Sequence, residues 1–265
     1  MAREKLNGGY VNGTTVDRES GLVYKTYQES TFSATNPSIR FRRELYALKK
    51  FPGLAPGLIE ADFNNLMMVQ ELIPGDSFEV LSQQGEKVHE QAGEVLRQIH
   101  SVRFNDPPQY LKESFEKKVE IASHKSHAQT MLELIGVSTV DFDVNWEKVY
   151  ELGTTVTHGD FWFRHLIKDA RSGLPRVIDW EYTRPYTPYH DFVSVQQFII
   201  GFFGGEEEFW RGYGMVPDKD TLNEFIKFQS FRYLAHITSP QVYLDEGPDG
   251  FYHKQAALLT KLVQS

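Results

Sequence analysis

The chain contains no cysteine. That absence removes disulfide scaffolds, thiolate zinc sites, iron–sulfur clusters and thiol nucleophiles from the chemistries open to it. No apolar run is long enough to cross a bilayer; the longest, 192–203, is interrupted by Ser194, Gln196, Gln197 and Gly201. The first seven residues are polar and lack the apolar core of a secretory signal, so a cytoplasmic protein without a membrane partner is expected. A basic stripe is missing too. Cations gather only in one short segment, at Arg40, Arg42, Arg43, Lys49 and Lys50, against a formal net charge of −8. This argues against a nucleic-acid partner.

What is present suits a packed globular fold. Hydrophobic residues make up 40% and charged residues 24% of the 265 positions, enough for one large domain or two lobes sharing a cleft. Residues 10–17 and 22–27 alternate as two strands around a turn that ends in Gly21. Residues 39–51 carry Phe41, Leu45 and Leu48 at helical spacing, and Pro52-Gly53 stops the helix. Residues 58–62 and 66–72 form a second strand pair around Asn64-Asn65. After Pro74-Gly75 the pattern turns helical, with predicted helices over 88–102, 189–203, 221–237 and 251–263. The expected fold class is α+β: an N-terminal antiparallel sheet lobe with one main helix, over 1–75, and a mostly helical C-terminal lobe over 76–265.

The strongest local signal is Thr157-His158-Gly159-Asp160-Phe161-Trp162-Phe163-Arg164-His165, followed by Val177-Ile178-Asp179-Trp180-Glu181. Phosphoryl transfer to a hydroxyl needs one carboxylate for the nucleophile's proton and another for the metal that bridges the phosphates. Asp160 and Asp179 stand 19 residues apart (179 − 160). Between them a strand, the turn Arg171-Ser172-Gly173 and a second strand make a hairpin that returns the two carboxylates to one end of a cleft.

His-Gly-Asp followed by Ile-Asp-Trp-Glu resembles the aminoglycoside phosphotransferase and choline kinase superfamily, of protein-kinase-like fold. The resemblance implies that Asp160 is the catalytic residue and Asp179 a metal ligand. It also implies that Asp191, in Pro188-Tyr189-His190-Asp191, has a structural role; His158 is expected to hydrogen-bond the loop backbone. Ile99-His100-Ser101 resembles the family's leucine–histidine helix end. The expected activity is ATP-dependent phosphotransfer, with Mg²⁺, to a hydroxyl of a small acceptor such as an amino alcohol, an aminoglycoside or a sugar. The chain departs from the pattern at His165, where the family has Asn as a metal ligand. Three readings stand open there: His165 ligates through a ring nitrogen, with Mn²⁺ then favoured; one metal suffices; or the chain binds nucleotide without catalysis.

The N-terminal half offers the remaining parts of a nucleotide site. Gly8-Gly9-Tyr10-Val11-Asn12-Gly13-Thr14 resembles the start of choline-kinase-like chains, with backbone amides and the Asn12 or Thr14 side chain as phosphate contacts. Lys25 shares a strand face with Val23 and Tyr27 and needs a partner if buried; Glu44 on the following helix is the candidate. Residues 67–75 resemble the family's hinge, where an adenine would bond the backbone of Glu71 and Ile73. On the acceptor side, Trp162, Phe163, Trp180, Tyr182, Trp210 and Tyr213, with Asp191 and Glu206-Glu207-Glu208, are available to a cationic ligand.

Overall fold

The computed structural model describes residues 4–5, 12–29, 35–112, 133, 149, 153–235, 250 and 253–258. The predicted glycine-rich start before Asn12, and the ends of the predicted 251–263 helix, lie outside them. The chain divides into two compact units, 1–113 with 152–216, and 114–151 with 217–265. The expected boundary after Gly75 falls inside the first.

The first unit opens with an antiparallel sheet of β1 (Glu4–Lys5), β2 (Asn12–Asp17), β3 (Leu22–Tyr27), β4 (Leu58–Asp62) and β5 (Met67–Glu71), in the order β1-β2-β3-β5-β4. The β2–β3 turn is held by Asp17, whose carboxylate accepts the backbone N–H groups of Glu19 (3.1 Å) and Ser20 (3.2 Å). Asp62 does the same for Asn64 and Asn65 between β4 and β5, at 2.9 and 3.2 Å. Helix α1 (Pro37–Lys50) begins where Asn36 caps the N–H of Ser38 at 2.9 Å and Pro37 supplies a pre-set φ. Its buried face, Phe41, Leu45 and Leu48, lies on the predicted stripe. Phe41 packs edge-on against Tyr27 of β3, centroids 5.4 Å apart.

Helical segments then dominate: α2 (Phe78–Gln83), α3 (His89–His100) and α4 (Gln109–Lys112). The α+β expectation is met. Two short hairpin-like pairings follow. β6 (Thr155–Thr157) pairs with β9 (Arg184–Tyr186), and β7 (Leu166–Lys168) with β8 (Pro175–Val177). The predicted helix over 189–203 runs as α5 (Tyr189–Ser194), a π-helical stretch (Val195–Ile200) and a last α-helical turn (Gly201–Phe203). Helix α6 (Glu206–Tyr213) begins at the glutamate triplet, which completes its first turn next to the helix's positive end. In the second unit, α7 (Lys219–Ala235) is joined to a helical segment at 253–258 by a hydrogen bond from Ser230 Oγ to Gln255, 2.8 Å.

Helices α3 and α6 touch backbone to backbone, because glycine stands on both sides of the crossing. A methyl group on Gly93 would lie 2.1 Å from the Phe209 carbonyl, and one on Gly212 would lie 1.9 Å from the Glu90 carbonyl. Neither obstacle is a flexible side chain, so the helices must separate to admit it. Gly212→Ala is expected to cost roughly 1–3 kcal/mol in urea unfolding, as overpacked cores do. An unchanged midpoint would show that the crossing is looser than these distances.

Candidate active site

Asp160 sits on the loop after β6. Two buried groups hold that loop. Asp191, at the start of α5, accepts the backbone N–H of His158 at 2.8 Å and of Gly159 at 2.7 Å. Gly159 has φ +84°, and a side chain there would meet the Tyr182 carbonyl at 2.4 Å, so the tight turn needs glycine. Asp191 is in turn bonded by His100 Nε2 at 2.9 Å, and His100 Nδ1 lies 2.9 Å from the Tyr213 hydroxyl. Burial opposes ionisation of Asp191, but the His100 bond and the loop N–H groups hold its carboxyl below the ordinary value. The helix-end histidine and Asp191 therefore brace the loop from beneath.

His158 has the structural role expected of it. Nε2 donates to the Ile178 carbonyl at 3.1 Å, and Nδ1 accepts the Asp160 N–H at 3.3 Å. One nitrogen must be protonated and the other bare, so the ring is neutral. Burial moves its pKa from 6.5 down to about 4. These bonds link the Asp160 loop directly to the strand end that carries Asp179.

Asp160, His165 and Asp179 converge. The 3-10 turn Phe163–His165 returns His165 to the loop, where Nδ1 donates to the Asp160 carbonyl at 2.8 Å. In the neutral ring that bond makes Nε2 the bare nitrogen, 3.6 Å from Asp179 Oδ2. Asp160 Oδ2 is 3.6 Å from the other ring nitrogen. One ligand atom from each of the three residues falls within 4.8 Å of the others. Asp179 adopts φ +66°, uncommon for a non-glycine residue and costly unless the surroundings hold it.

Lys25 joins this cluster to the sheet. Its ammonium lies 2.7 Å from Glu44 Oε2 and 2.5 Å from Asp179 Oδ1. The β3 alternation places Lys25 and Tyr27 inward and Thr26 outward, as expected. Burial works against the charge on Lys25, but Asp179, Glu44 and Glu181 outweigh it and raise its pKa. Burial likewise opposes ionisation of Asp179, and Lys25 reverses the effect, keeping the carboxylate charged. Among the described residues no lysine or arginine forms an ion pair with Asp160, and burial raises its pKa.

The sequence profile of the phosphotransferase enzyme family matches residues 10–225. The chain belongs to this family. Solved structures of similar fold include the ADP-bound aminoglycoside phosphotransferase APH(2'')-Ib, at 14% identity and TM-score 0.63, over 99% of this chain and 93% of that one. Choline kinase LicA from Streptococcus pneumoniae matches at 17% identity and TM-score 0.61, over 100% and 92%. A choline/ethanolamine kinase family protein from Mesorhizobium loti matches at 16% and 0.57, over 99% and 87%. At these identities the likeness is one of fold. Comparison by sequence with curated proteins gives no match.

Other family positions have partners that the sequence did not announce. Asn12 is buried, its amide donating to Glu181 and accepting from Arg40, so its side chain is engaged with protein rather than free for a phosphate. Glu71 spends its backbone N–H on the Gly57 carbonyl at 2.8 Å, and its carboxylate on Arg171 (2.6 Å) and Arg176 (3.2 Å). Ile73, two residues on, is buried. Of the aromatics proposed for the acceptor, Phe163, Trp180, Trp210 and Tyr213 are buried; Trp180 stacks on Phe51 at 4.9 Å. Trp162 stacks on Phe198 at 3.8 Å, with the exposed Arg164 guanidinium 4.0 Å above its ring. Asp191 is inside the loop brace. Four of the six expected acceptor aromatics and Asp191 are therefore core, whereas Trp162 and Tyr182 are part-buried and Glu206, Glu207 and Glu208 are exposed.

Sequence reasoning missed Arg40, Glu181 and Tyr27. Glu181 was readable as the last residue of the Ile-Asp-Trp-Glu motif, and Arg40 as the residue one helical turn before Glu44. Tyr27 donates to the same Glu44 oxygen as Lys25.

The neutral state of His158 has a consequence for stability. Its folded pKa is depressed, so as pH falls from 6.5 towards 4 the unfolded chain takes up a proton that the folded chain refuses. Stability is lost over that window, by up to about 3 kcal/mol. Glu181, raised by burial to about 7, contributes with the opposite sign. The histidine's share is therefore read by difference. Between pH 7 and 4 the native protein should lose about that much relative to His158→Gln in urea unfolding. Parallel pH profiles for the two proteins would contradict the assignment.

Proposed function

We infer that the chain transfers the γ-phosphoryl group of ATP to a hydroxyl of a small acceptor: an amino alcohol, an aminoglycoside or a sugar. The observation that carries this reading is the convergence of Asp160, His165 and Asp179 on one side of Lys25, with Glu44 on the other. Family membership and the nucleotide-bound structures of similar fold support it.

The donor set suits a divalent cation. Asp179 keeps Oδ2 free while Lys25 holds Oδ1, and His165 Nε2 faces that free oxygen at a spacing too long for a hydrogen bond but compatible with two ligands on one ion. A bound Mg²⁺ or Mn²⁺ would neutralise phosphate charge and orient the γ-phosphoryl group. Lys25, pinned by Glu44, would pair the phosphates. Asp160, with its raised pKa, would orient the acceptor hydroxyl and take its proton. The β5 end, with the Glu71 carbonyl and Ile73, would receive the adenine.

Asp160→Asn is expected to lower turnover by roughly 10²–10⁴-fold while Mg·ATP affinity, measured by calorimetry, stays within a few-fold. Turnover within tenfold of the native protein would remove Asp160 from the reaction. Absence of transfer by the native protein to any alcohol in a broad panel, with nucleotide still bound, would favour the non-catalytic reading of His165.

The nitrogen donor makes a second expectation. His165→Asn should shift the preference from Mn²⁺ towards Mg²⁺ in nucleotide-dependent metal binding, because imidazole suits the softer ion and an amide oxygen the harder one. Identical metal preference in the two proteins would mark His165 as a loop-packing residue.

A further inference from the structure

Arg40 is wholly buried in the first turn of α1. Its guanidinium is consumed by protein. Nε donates to the Thr35 carbonyl at 3.1 Å and one terminal nitrogen to the Gln28 carbonyl at 2.5 Å. The other reaches Asn12 Oδ1 at 2.5 Å and Glu181 Oε2 at 3.2 Å. Asn12 closes the triangle by donating to the same Glu181 oxygen. Four donors are thus engaged, and no ligand needs to be invoked for them.

The connectivity of this cluster goes beyond local packing. Glu181 follows Asp179 by two residues. Arg40 precedes Glu44 by four, so both project from one face of α1 about one turn apart. Glu44 holds Lys25, and Lys25 holds Asp179. The two contacts therefore form a ring: Arg40 to Glu181 at one point, and Glu44 through Lys25 to Asp179 at the other. A single contact would let α1 pivot against the 179–181 segment. Two contacts from successive turns fix both its distance and its rotation, and Asn12 adds the start of β2 to the same joint.

We propose that Arg40 is a positioning residue: through Glu181 it registers α1 against the Asp179 segment, so that Glu44 presents Lys25 to Asp179. The kinetic part of this proposal rests on the phosphotransfer reading; the coupling part does not. Arg40 is buried, and it reaches the Asp179 segment through Glu181 and the start of β2 through Asn12.

Three variants test it: Arg40→Lys, which keeps the charge and loses the fork, Arg40→Met, and the double variant Arg40→Met with Glu181→Gln, which removes both buried charges together. Thermal unfolding, kcat, KM for ATP and hydrogen exchange are measured on each full-length protein. The proposal expects Arg40→Lys to speed exchange in residues 37–50 and 177–183 together, leaving 67–71 unchanged. It expects kcat to fall roughly tenfold to a hundredfold, as small misplacements do, with KM for ATP within threefold. It expects the double variant to regain the melting temperature lost in Arg40→Met without regaining kcat. Recovery of kcat alongside the melting temperature would overturn it, since Arg40 would then be a structural charge partner only. Faster exchange in 37–50 alone would overturn it as well. If the native protein transfers phosphate to no acceptor, the phosphotransfer reading fails, and the exchange measurement still decides the coupling.

Discussion

The buried ammonium of Lys25 is the point on which the described first unit turns. It is one cation between two carboxylates, Glu44 and Asp179, that come from different elements. Each group carries a desolvation cost that only the others offset. Take away the ammonium and the buried Glu44 and the part-buried Asp179 lose their partner; take away Glu44 and Tyr27 loses its hydroxyl acceptor as well. The sheet, α1 and the strand end after β8 are thereby held in one arrangement by charge that none could bury alone. The depressed pKa of Asp179 and the raised pKa of Lys25 are two expressions of the same pairing.

Around this centre the fold separates groups by the work their environments allow. Asp179 is kept ionised by a cation in contact. Asp160 has no lysine or arginine ion-pair partner among the described residues, and burial raises its pKa. His158 is kept neutral and spends both nitrogens on backbone groups. Asp191 is kept charged by His100 and two backbone N–H groups and serves the loop rather than a ligand. Four ionisable groups on or around the Asp160 loop thus differ in state because their neighbours differ.

The linker after β5 is fixed to the same region by a second set of ions. Glu71 meets Arg171 and Arg176, which also hold Asp169 at 3.0 and 3.5 Å. The Lys168 and Ala170 N–H groups bond the Asp76 and Pro74 carbonyls at 3.0 and 2.8 Å. The β7–β8 hairpin is therefore tied to the end of the N-terminal sheet as well as to Asp179. These bonds join the hairpin that precedes Asp179 to the end of β5 at several points.

The sequence by itself determined what is local. Alternation in 22–27 put Lys25 on the inner face, helical spacing in α1 fixed the Phe41, Leu45 and Leu48 face, and the distance from Asp160 to Asp179 contained its own hairpin. These features are encoded by neighbouring residues, whose side-chain directions follow from backbone geometry alone. Tertiary structure decided the rest. The pairing of β6 with β9 joins two three-residue strands too short to show a period, one of them containing Pro185. Trp180 and Trp210 became core rather than acceptor surface because packing, not composition, decides which side of an aromatic ring meets water. The triangle of Asn12, Arg40 and Glu181 spans 169 positions from first to last (181 − 12). No spacing rule connects such residues; only the closing of the sheet and α1 onto the Asp179 segment brings an amide, a guanidinium and a carboxylate together and dries them, so that each requires the other two.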